Sequence, residues 1–327
     1  MILVLTTEAG DLSHSRFIEW LNYYQADYMI LTGESIFRNE TEIYINKNNH
    51  LLVNGRNLSK EVRVILNRRW LTTDELPRIV DDKKFNIGLR KTISSEIYEF
   101  RQFLDHSLRN AEWIPKIDKA NVNKLTILHK AMSCGLNVPD FIVTNNKNAL
   151  ASFMKRHSKI ITKAIGNFPR NFTENNFLIN PIYTKVIDTN FINILPIRFQ
   201  MSIFQELIIK KKEYRILYFN RKCFPVELLT QENEISKIDS RKTDGNEDVF
   251  RIIYSELPNE IEERIVKLME TIKLNIGCID ILQSENNEFY FLEVNPVGQI
   301  SGYSFRGNLD FEKEVVEYMI KRDKNES

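Results

Sequence analysis

Short apolar runs and helically spaced apolar residues alternate along the first third of the chain. The run at Ile2–Thr6 predicts a buried strand, and apolar residues at helical spacing over residues 17–24 predict the helix that follows it. Runs rich in β-branched residues predict further strands at residues 28–31, 42–45, 51–53 and 62–66. A helical apolar face covers residues 87–108 and ends before Pro115. Residues 1–115 are therefore predicted to form an N-terminal α/β domain.

Two α+β units are predicted in the rest of the chain. Apolar residues recur on one helical face from residue 122 to Gly135, over 147–156 and over 261–274. Strand-like runs lie around these helices at residues 141–143, 160–165, 201–209, 214–219, 223–229, 276–282 and 289–296. We therefore expect a central subdomain at residues 116–200 and a C-terminal subdomain at residues 201–327, which makes the whole chain α/β (α+β) in class.

Composition and charge indicate an ordinary globular protein. Of 327 residues, 43% are hydrophobic and 27% are charged, far from the composition of disordered chains. Lys and Arg (45) nearly balance Asp and Glu (44), so no basic field suggests nucleic acid or an anionic membrane as partner. No apolar run reaches the roughly 20 residues of a membrane span, and the N-terminus has no basic region typical of a signal peptide.

The cysteines also favour a reducing compartment. There are three of them, widely spaced, with no C-x-x-C pair and no clustered histidines: Cys134, Cys223 and Cys278. This pattern argues against a disulfide framework and against structural zinc. We therefore expect a cytoplasmic protein.

The most informative segment predicts a β-hairpin with acidic residues on facing strands. If Asn286 and Asn287 form a two-residue turn, Asp280 and Glu293 lie directly opposite each other. The pairing would bring two carboxylates together on one face of the hairpin.

Asn295 shares that face, because side chains alternate along a strand, while Leu292 and Val294 are expected to point into the core. Two carboxylates and an amide oxygen, without His or Cys, suit Mg²⁺ completed by nucleotide phosphates. The alternative is that Asp280 and Glu293 are simply solvated on an edge sheet.

Several basic residues have two readings from the sequence alone. Lys163 interrupts an apolar strand, so it either extends to solvent from a sheet edge or points at an anion. Glu213 and Arg215 lie two apart on one strand face, as a surface ion pair or as part of a site. Lys124 begins its helix. The chain lacks the sequence signatures of P-loop, dinucleotide-binding and α/β-hydrolase proteins.

The order of several short segments resembles the ATP-grasp ligases over about residues 116–300. These segments are Asn123-Lys124, Gly135-Leu136-Asn137-Val138-Pro139, Thr162-Lys163-Ala164, Gln205-Glu206-Leu207-Ile208, Glu213-Tyr214-Arg215, Ile279-Asp280 and Phe291-Leu292-Glu293-Val294-Asn295-Pro296. The resemblance implies the ATP-grasp fold, with residues 1–115 as its pre-ATP-grasp domain. It also implies ATP and Mg²⁺ as cofactors.

A closer resemblance spans nearly the whole chain. Three segments are similar to the peptide maturases that make graspetides, above all the ATP-grasp maturases of grasp-with-spasm systems: Asn67-Arg68-Arg69-Trp70, Leu257-Pro258 and Asn295-Pro296-Val297-Gly298-Gln299. The segment after Gln299 departs from this pattern.

The resemblance implies a role for each matching position. Nucleotide contacts would come from Lys124, Lys163, the backbone of Gln205, Glu206, Leu207 and Ile208, and the carboxylate of Glu213. Magnesium ligands would be Asp280, Glu293 and Asn295. The γ-phosphate or acyl phosphate would be steadied by Arg215 and Arg241, with Arg251 as the alternative to Arg241. Arg68 and Arg69 would help hold an acidic peptide or the acyl phosphate, unless they form a solvated basic pair.

The implied reaction activates Asp or Glu side chains of a ribosomal precursor peptide, leader plus core, as acyl phosphates. A Lys amine or a Ser/Thr hydroxyl then displaces phosphate, which gives a macrolactam or macrolactone. Two alternatives remain open at this point: a ligase that adds free amino acids to a protein or small-molecule carboxylate, and a nucleotide-binding regulatory module without turnover. A homodimer or higher homo-oligomer is also left open.

Overall fold

The computed structural model describes residues 1–8, 12–71, 83–166, 172–174, 177–179, 184–230 and 251–325. Within this part of the chain, no helix combines the length and apolarity that crossing a membrane requires.

The N-terminal part consists of a parallel sheet, a small antiparallel sheet and four helices that the structure describes. Its strands are β1 (Ile2–Thr6), β2 (Tyr28–Thr32), β3 (Ile43–Ile45), β4 (Leu51–Val53), β5 (Arg56–Asn57), β6 (Val64–Asn67) and β7 (Glu112–Ile114). Its helices are α1 (Ser15–Tyr23), α2 (Gly33–Phe37), α3 (Leu58–Glu61) and α4 (Lys83–Ser107). The parallel sheet has the order β2-β1-β6-β7, and β3, β4 and β5 pair antiparallel. The five predicted strands and the two predicted helices are present, whereas β5, β7, α2 and α3 were not predicted.

The central part is built on a four-stranded antiparallel sheet. Its helices are α5 (Lys124–Ser133), α6 (Lys147–Arg156) and α7 (Thr189–Ile194), and its strands are β8 (Phe141–Asn146), β9 (Ile160–Lys163), β10 (Phe172–Glu174), β11 (Phe177–Ile179), β12 (Lys185–Ile187) and β13 (Arg198–Glu206). The sheet has the order β12-β9-β13-β8, and β10 pairs with β11. The predicted boundary at residue 200 falls inside β13, and the division into three segments remains a proposal.

The C-terminal part is a five-stranded antiparallel sheet with helices. Its strands are β14 (Lys210–Phe219), β15 (Lys222–Leu229), β16 (Arg251–Tyr254), β17 (Ile276–Ser284) and β18 (Phe289–Asn295). Its helices are α8 (Asn259–Thr271), α9 (Ser301–Arg306) and α10 (Phe311–Asp323). The strand order is β16-β15-β14-β17-β18, so β14 and β17 are interior strands.

Buried side chains join these parts through shared clusters. Residues Ile2 to Leu5 of β1 are at most 1% exposed, as expected for a parallel strand covered on both faces. Ile2 and Val4 pack with Val315 of α10, so the C-terminal helix covers the N-terminal sheet. Likewise, Leu128 of α5 shares a cluster with β17 and β18, so α5 packs on the C-terminal sheet.

Candidate active site

Three neighbouring strands bring the predicted acidic residues together with a guanidinium group. Arg215 of β14 pairs with Asp280 of β17, and Asp280 pairs with Glu293 of β18. The predicted opposition of Asp280 and Glu293 is therefore confirmed. Because β17 is an interior strand, the alternative of an acid solvated on a sheet edge is wrong for Asp280, whose side chain is 20% exposed.

The turn that was expected to set this register is wrong. Ser284 pairs with Glu288, whose carbonyl accepts the Ser284 N–H at 2.8 Å, so the loop has three residues rather than two. Asn287 takes the left-handed conformation (φ +63°) that ends such loops. The shift this causes is reversed by a bulge in β18 between Phe291 and Glu293.

The bulge also changes which side chains enter the core. Phe291 and Val294, three positions apart, are 1% and 2% exposed. Both belong to the buried cluster that includes Leu128 of α5. Leu292, which was expected there, is only half-buried, because the extra residue turns the strand at this point. The expectation for Val294 is confirmed and that for Leu292 is wrong.

Each candidate metal ligand already has a defined polar contact. The Arg215 Nη1 donates to Asp280 Oδ1 at 2.9 Å, and the Lys124 Nζ lies 3.1 Å from Glu293 Oε2. The Asn295 Nδ2 donates to Glu293 Oε1 at 3.0 Å, so both side chains share a face as predicted. This contact leaves the side-chain amide oxygen of Asn295 as the available ligand atom.

The two carboxyl groups are shifted in opposite directions. Burial raises the pKa of Asp280 above its ordinary value, and the positive charge of Arg215 offsets this only in part. Burial acts in the same direction on Glu293, but Lys124, the Asn295 amide and Lys163 outweigh it and lower the pKa of that carboxyl. Glu293 is thus held as a carboxylate by two ammonium groups.

Two lysines approach this carboxylate from separate elements. Lys124 is the first residue of α5, whose N-terminus is capped by Asn123, where the side chain accepts the Thr126 N–H at 2.9 Å. Lys163 ends β9 and pairs with Ile203. Because β9 lies between β12 and β13, the reading of Lys163 as an edge residue is wrong.

Glu213 lies on the same strand as Arg215, but each has another partner. The Lys210 Nζ donates to Glu213, and the Thr230 Oγ1 donates to the same carboxylate oxygen at 3.2 Å. The side chains of Glu213 and Arg215 are 13% and 12% exposed. The reading as a surface ion pair is therefore wrong. The negative charge of Glu213 also acts on Asp280, so the two carboxylates are near each other.

The segment predicted to hold adenine lies where β13 ends. The N–H groups of Glu206 and Leu207 already donate to the carbonyls of Asp140 and Lys159, at 2.9 and 3.0 Å. The N–H of Ile208 donates to no described residue. It is therefore the donor of this segment that remains for a base.

Gln205 is a buried polar residue near the end of β13. Its side chain is 1% exposed, and its amide nitrogen has no hydrogen-bond partner among the described residues. A buried amide donor without a partner costs free energy, so the position favours a bound acceptor.

Of the arginines expected to meet phosphate or peptide, the structure defines four. Arg68 and Arg69 follow β6, and Arg68 is fully buried, so the solvated basic pair is wrong for it. Arg251 begins the edge strand β16 with an exposed side chain. Arg241 lies outside the described residues.

Tyr303 belongs to the site although no motif pointed to it. The Arg215 guanidinium carbon lies 4.7 Å from the centre of the Tyr303 ring, close enough for a cation–π contact. Tyr303 follows Gln299, in the segment where the sequence departs from the resemblance. Periodicity gives no signal for such a contact, because it depends on where α9 packs in the folded chain.

The donor set fits Mg²⁺ bound together with a nucleotide. Among the described residues, no cluster of three or more His, Cys, Asp and Glu can hold a metal alone. Two carboxylates and one amide oxygen leave positions for phosphate oxygens and water, which is the coordination that Mg²⁺ takes in phosphoryl-transfer sites. The nearby lysines provide the charges that nucleotide phosphates require.

Solved structures of similar fold match nearly the whole chain. The macrocyclase MdnC bound with precursor peptide MdnA, from Microcystis aeruginosa MRC, is 20% identical, with a TM-score of 0.80 over 98% of this chain and 100% of MdnC. A RiPP-associated ATP-grasp ligase from Chryseobacterium gregarium, in complex with ADP and a leader and core peptide, is 23% identical, with a TM-score of 0.77 over 99% and 96%.

The ATP-grasp ligase PsnB, complexed with minimal precursor, Mg and ADP, is 17% identical, with a TM-score of 0.77 over 98% of this chain and 97% of PsnB. No protein-family model matches the chain, and no curated protein matches it by sequence. The structural similarity shows that the chain has the ATP-grasp fold, as the resemblance implied.

Proposed function

We propose that this chain is an ADP-forming ligase that uses ATP and Mg²⁺ to cross-link side chains of a ribosomally made precursor peptide. Asp or Glu side chains of the peptide are activated as acyl phosphates and joined to Lys amines or Ser/Thr hydroxyls. The product is a macrolactam or macrolactone. The similar structures support this proposal, because precursor peptides are bound in all three and ADP in two.

The observation that carries the proposal is the convergence of opposite charges on the adjacent strands β14, β17 and β18. Asp280, Glu293 and Asn295 offer hard oxygen ligands, and Lys124 and Lys163 lie beside them from two other elements. A regulatory module would need a nucleotide pocket but has no need for this complete set. The set is what transfer of a phosphoryl group requires.

The residues of this chain have distinct parts in the proposed reaction. Bound Mg²⁺ would neutralise charge on the phosphate oxygens of ATP, which supplies the phosphoryl group. Lys124 and Lys163 hold the phosphates. Lys124 is at present ion-paired with the Glu293 carboxylate that the metal would share, and the charge of Lys163 also acts on that carboxylate. Arg215, fixed by Asp280 and by Tyr303, presents its guanidinium toward the phosphorylated carboxylate.

The nucleotide base is proposed to lie against the end of β13. The Ile208 N–H supplies a donor, and the Gln205 amide supplies a second, buried donor. Glu213 is proposed to accept from the ribose, after exchange of its present Lys210 and Thr230 contacts. The chain then needs no nucleophilic side chain of its own, since positioning and charge compensation supply the catalysis.

A direct test is the release of ADP by the full chain with a candidate precursor peptide encoded beside it. We expect Mg²⁺-dependent ADP release only with the peptide, together with loss of one water from the peptide for each bond formed, measured by mass spectrometry. Release of ADP with free glutamate instead would identify a ligase for free amino acids. Nucleotide binding without any ADP release would identify a regulatory module.

Replacing Lys163 by Met is expected to weaken ATP binding while the fold is retained. Met fills a similar volume but removes the charge, and a hydrogen bond to a charged group contributes about 1.5–3 kcal/mol. ATP affinity measured by calorimetry should fall accordingly. Lys155→Met, on the exposed face of α6, is the matched control and should bind ATP normally. Unchanged affinity in the Lys163 variant, with full peptide modification, would contradict the role of Lys163.

A further inference from the structure

The loop that follows the candidate metal ligand Asn295 is held by two separate parts of the chain. We name residues 297–299 the post-ligand loop. The Arg68 Nη2 donates to the Gly298 carbonyl at 2.7 Å, and the Arg69 Nε donates to the Val297 carbonyl at 3.1 Å. From the other side, the Arg215 Nη2 lies 3.4 Å from the Gln299 carbonyl. Three consecutive carbonyls of the loop thus each accept from an arginine.

Arg68 is a fully buried arginine. Its side chain is 0% exposed, which is rare for an arginine, and its charge also acts on the Cys278 thiol of β17. Burying a guanidinium group is costly unless it is hydrogen-bonded. The hydrogen bond to the Gly298 carbonyl therefore helps to offset the cost of burying Arg68. The expected contact of Arg68 with a peptide or acyl phosphate stays a prediction.

The backbone beside Arg68 is held in an unusual conformation. Arg69 and Leu71 have φ values of +52° and +53°, in the left-handed region that non-glycine residues seldom adopt. Each such residue costs on the order of 1–3 kcal/mol and persists only where the surroundings enforce it. Here the enforced conformation directs two successive arginine side chains at the post-ligand loop.

The loop itself has no room to move toward the site. A Cβ at Gly298 would lie 2.9 Å from the Arg215 Nη2 and 3.0 Å from the Cys278 Sγ. The loop backbone therefore lies close to side chains of β14 and β17, and it also accepts a hydrogen bond from Arg68. An alanine here would force the Arg215 guanidinium or the Cys278 side chain to shift, so glycine is favoured at this position.

The position of Arg68 in the N-terminal sheet explains this arrangement. The chain adds β2 on one side of β1 and β6 on the other, so the strand order reverses between β1 and β6. In open parallel sheets, ligands bind in the crevice at the carboxyl ends of strands at such a reversal. Arg68 follows the carboxyl end of β6, and it binds a segment of this same chain.

We propose that Arg68 and Arg69 are positioning residues that fix the metal-binding end of β18. By holding the post-ligand loop, they set where Asn295 presents its carbonyl oxygen and where Arg215 meets the substrate phosphate. The N-terminal domain thus completes the site through the loop rather than by contact with the reactants. This inference rests on the proposed function, because it assigns Asn295 and Arg215 their partners.

The inference is tested by ADP binding to the full chain, measured by calorimetry with Mg²⁺ and with EDTA. Arg68→Met keeps the aliphatic packing and removes the donors. We expect its affinity for ADP to fall about tenfold or more with Mg²⁺, as for other groups that orient metal ligands, and to stay unchanged in EDTA. Arg63→Met, an exposed arginine at the opposite end of β6, should match the wild type in both conditions.

A second variant reaches the loop without changing Arg68. Gly298→Ala adds a methyl group against Arg215 and Cys278, and it should show the same magnesium-specific loss. If Arg68→Met fails to fold, as judged by loss of a cooperative melt, Gly298→Ala decides. Equal losses with and without Mg²⁺, or no loss in either variant, would overturn the inference alone. A wild type whose ADP affinity ignores Mg²⁺ would overturn the proposed function as well.

Discussion

Replacing Glu293 by Gln is expected to remove nearly all magnesium-dependent ADP release, with a loss of about 100-fold or more. The substitution keeps the shape of the side chain and removes one of the two carboxylates that face each other on β17 and β18. Asp280→Asn should have a comparable effect. The measurement is peptide-stimulated ADP release as a function of Mg²⁺ concentration. Normal magnesium-dependent release by both variants would defeat the assignment of this metal site.

The stability of the Glu293 variant separates a lost ligand from a damaged fold. Repulsion between two neighbouring carboxylates would by itself predict a higher melting temperature. However, Lys124 and Asn295 favour the ionised form, so the pKa of Glu293 is lowered in the folded state. A carboxyl with a lowered pKa stabilises the fold above its unfolded pKa, and this contribution is lost as pH falls.

We therefore expect Glu293→Gln to have a slightly lower melting temperature than the wild type at pH 7. The corresponding loss in free energy of unfolding should be about 1 kcal/mol or less. The difference should shrink as pH falls below about 4, where unfolded glutamate is protonated. Glu285→Gln, in the exposed hairpin loop, removes the same charge without touching the site and should change neither turnover nor melting. A higher melting temperature for Glu293→Gln would show that carboxylate repulsion dominates.

The hairpin shows how far pattern reasoning can reach. The prediction that Asp280 faces Glu293 assumed a two-residue turn, and it holds because the longer loop and the bulge in β18 compensate each other. The loop length and the bulge were not predictable, since each depends on local backbone geometry such as the left-handed Asn287. The two deviations cancel at Asp280 but not at Leu292.

Burial of charged groups was harder to predict than register. The sequence identifies Arg68 and Arg69 as a basic pair on a strand end, but not that one of them is inaccessible. That fact depends on the approach of the loop at Gly298, which is distant in sequence. Contacts of this kind arise from the packing of separate elements and leave no periodic signal.

The nucleotide contacts were partly predictable, less so than strand register but more so than the burial of charged groups. The motif around Gln205 was found by its resemblance alone, whereas its buried, unpartnered amide is visible only in the structure. The sequence treats the backbone of Glu206, Leu207 and Ile208 alike. The structure distinguishes them, because two of the three N–H groups already hold the end of β13 in place.

Replacing Arg215 by Met is expected to destabilise the fold strongly as well as to abolish turnover. The Arg215 guanidinium donates twice to Asp280, at 2.9 and 3.1 Å, and both side chains are largely buried. Removing one member of a buried ion pair leaves the other charge uncompensated, at a cost of about 3–5 kcal/mol. Chemical denaturation at pH 7 measures this loss. Arg221→Met, whose exposed partner is Glu270, is the control and should cost under about 1 kcal/mol.

The double variant Arg215→Met/Asp280→Asn tests whether Asp280 is the group left uncompensated. With both charges gone, no buried carboxylate remains without its cation, so the double variant should be more stable than Arg215→Met. Lower pH should also stabilise the single variant Arg215→Met relative to the wild type, because it protonates the uncompensated Asp280. Burial raises the pKa of Asp280, and loss of Arg215 raises it further. A group with a raised pKa binds more protons when folded, so the deficit of Arg215→Met should be smaller at pH 5 than at pH 8. A double variant as unstable as the single one would show that Arg215 is held mainly by Tyr303 and the post-ligand loop.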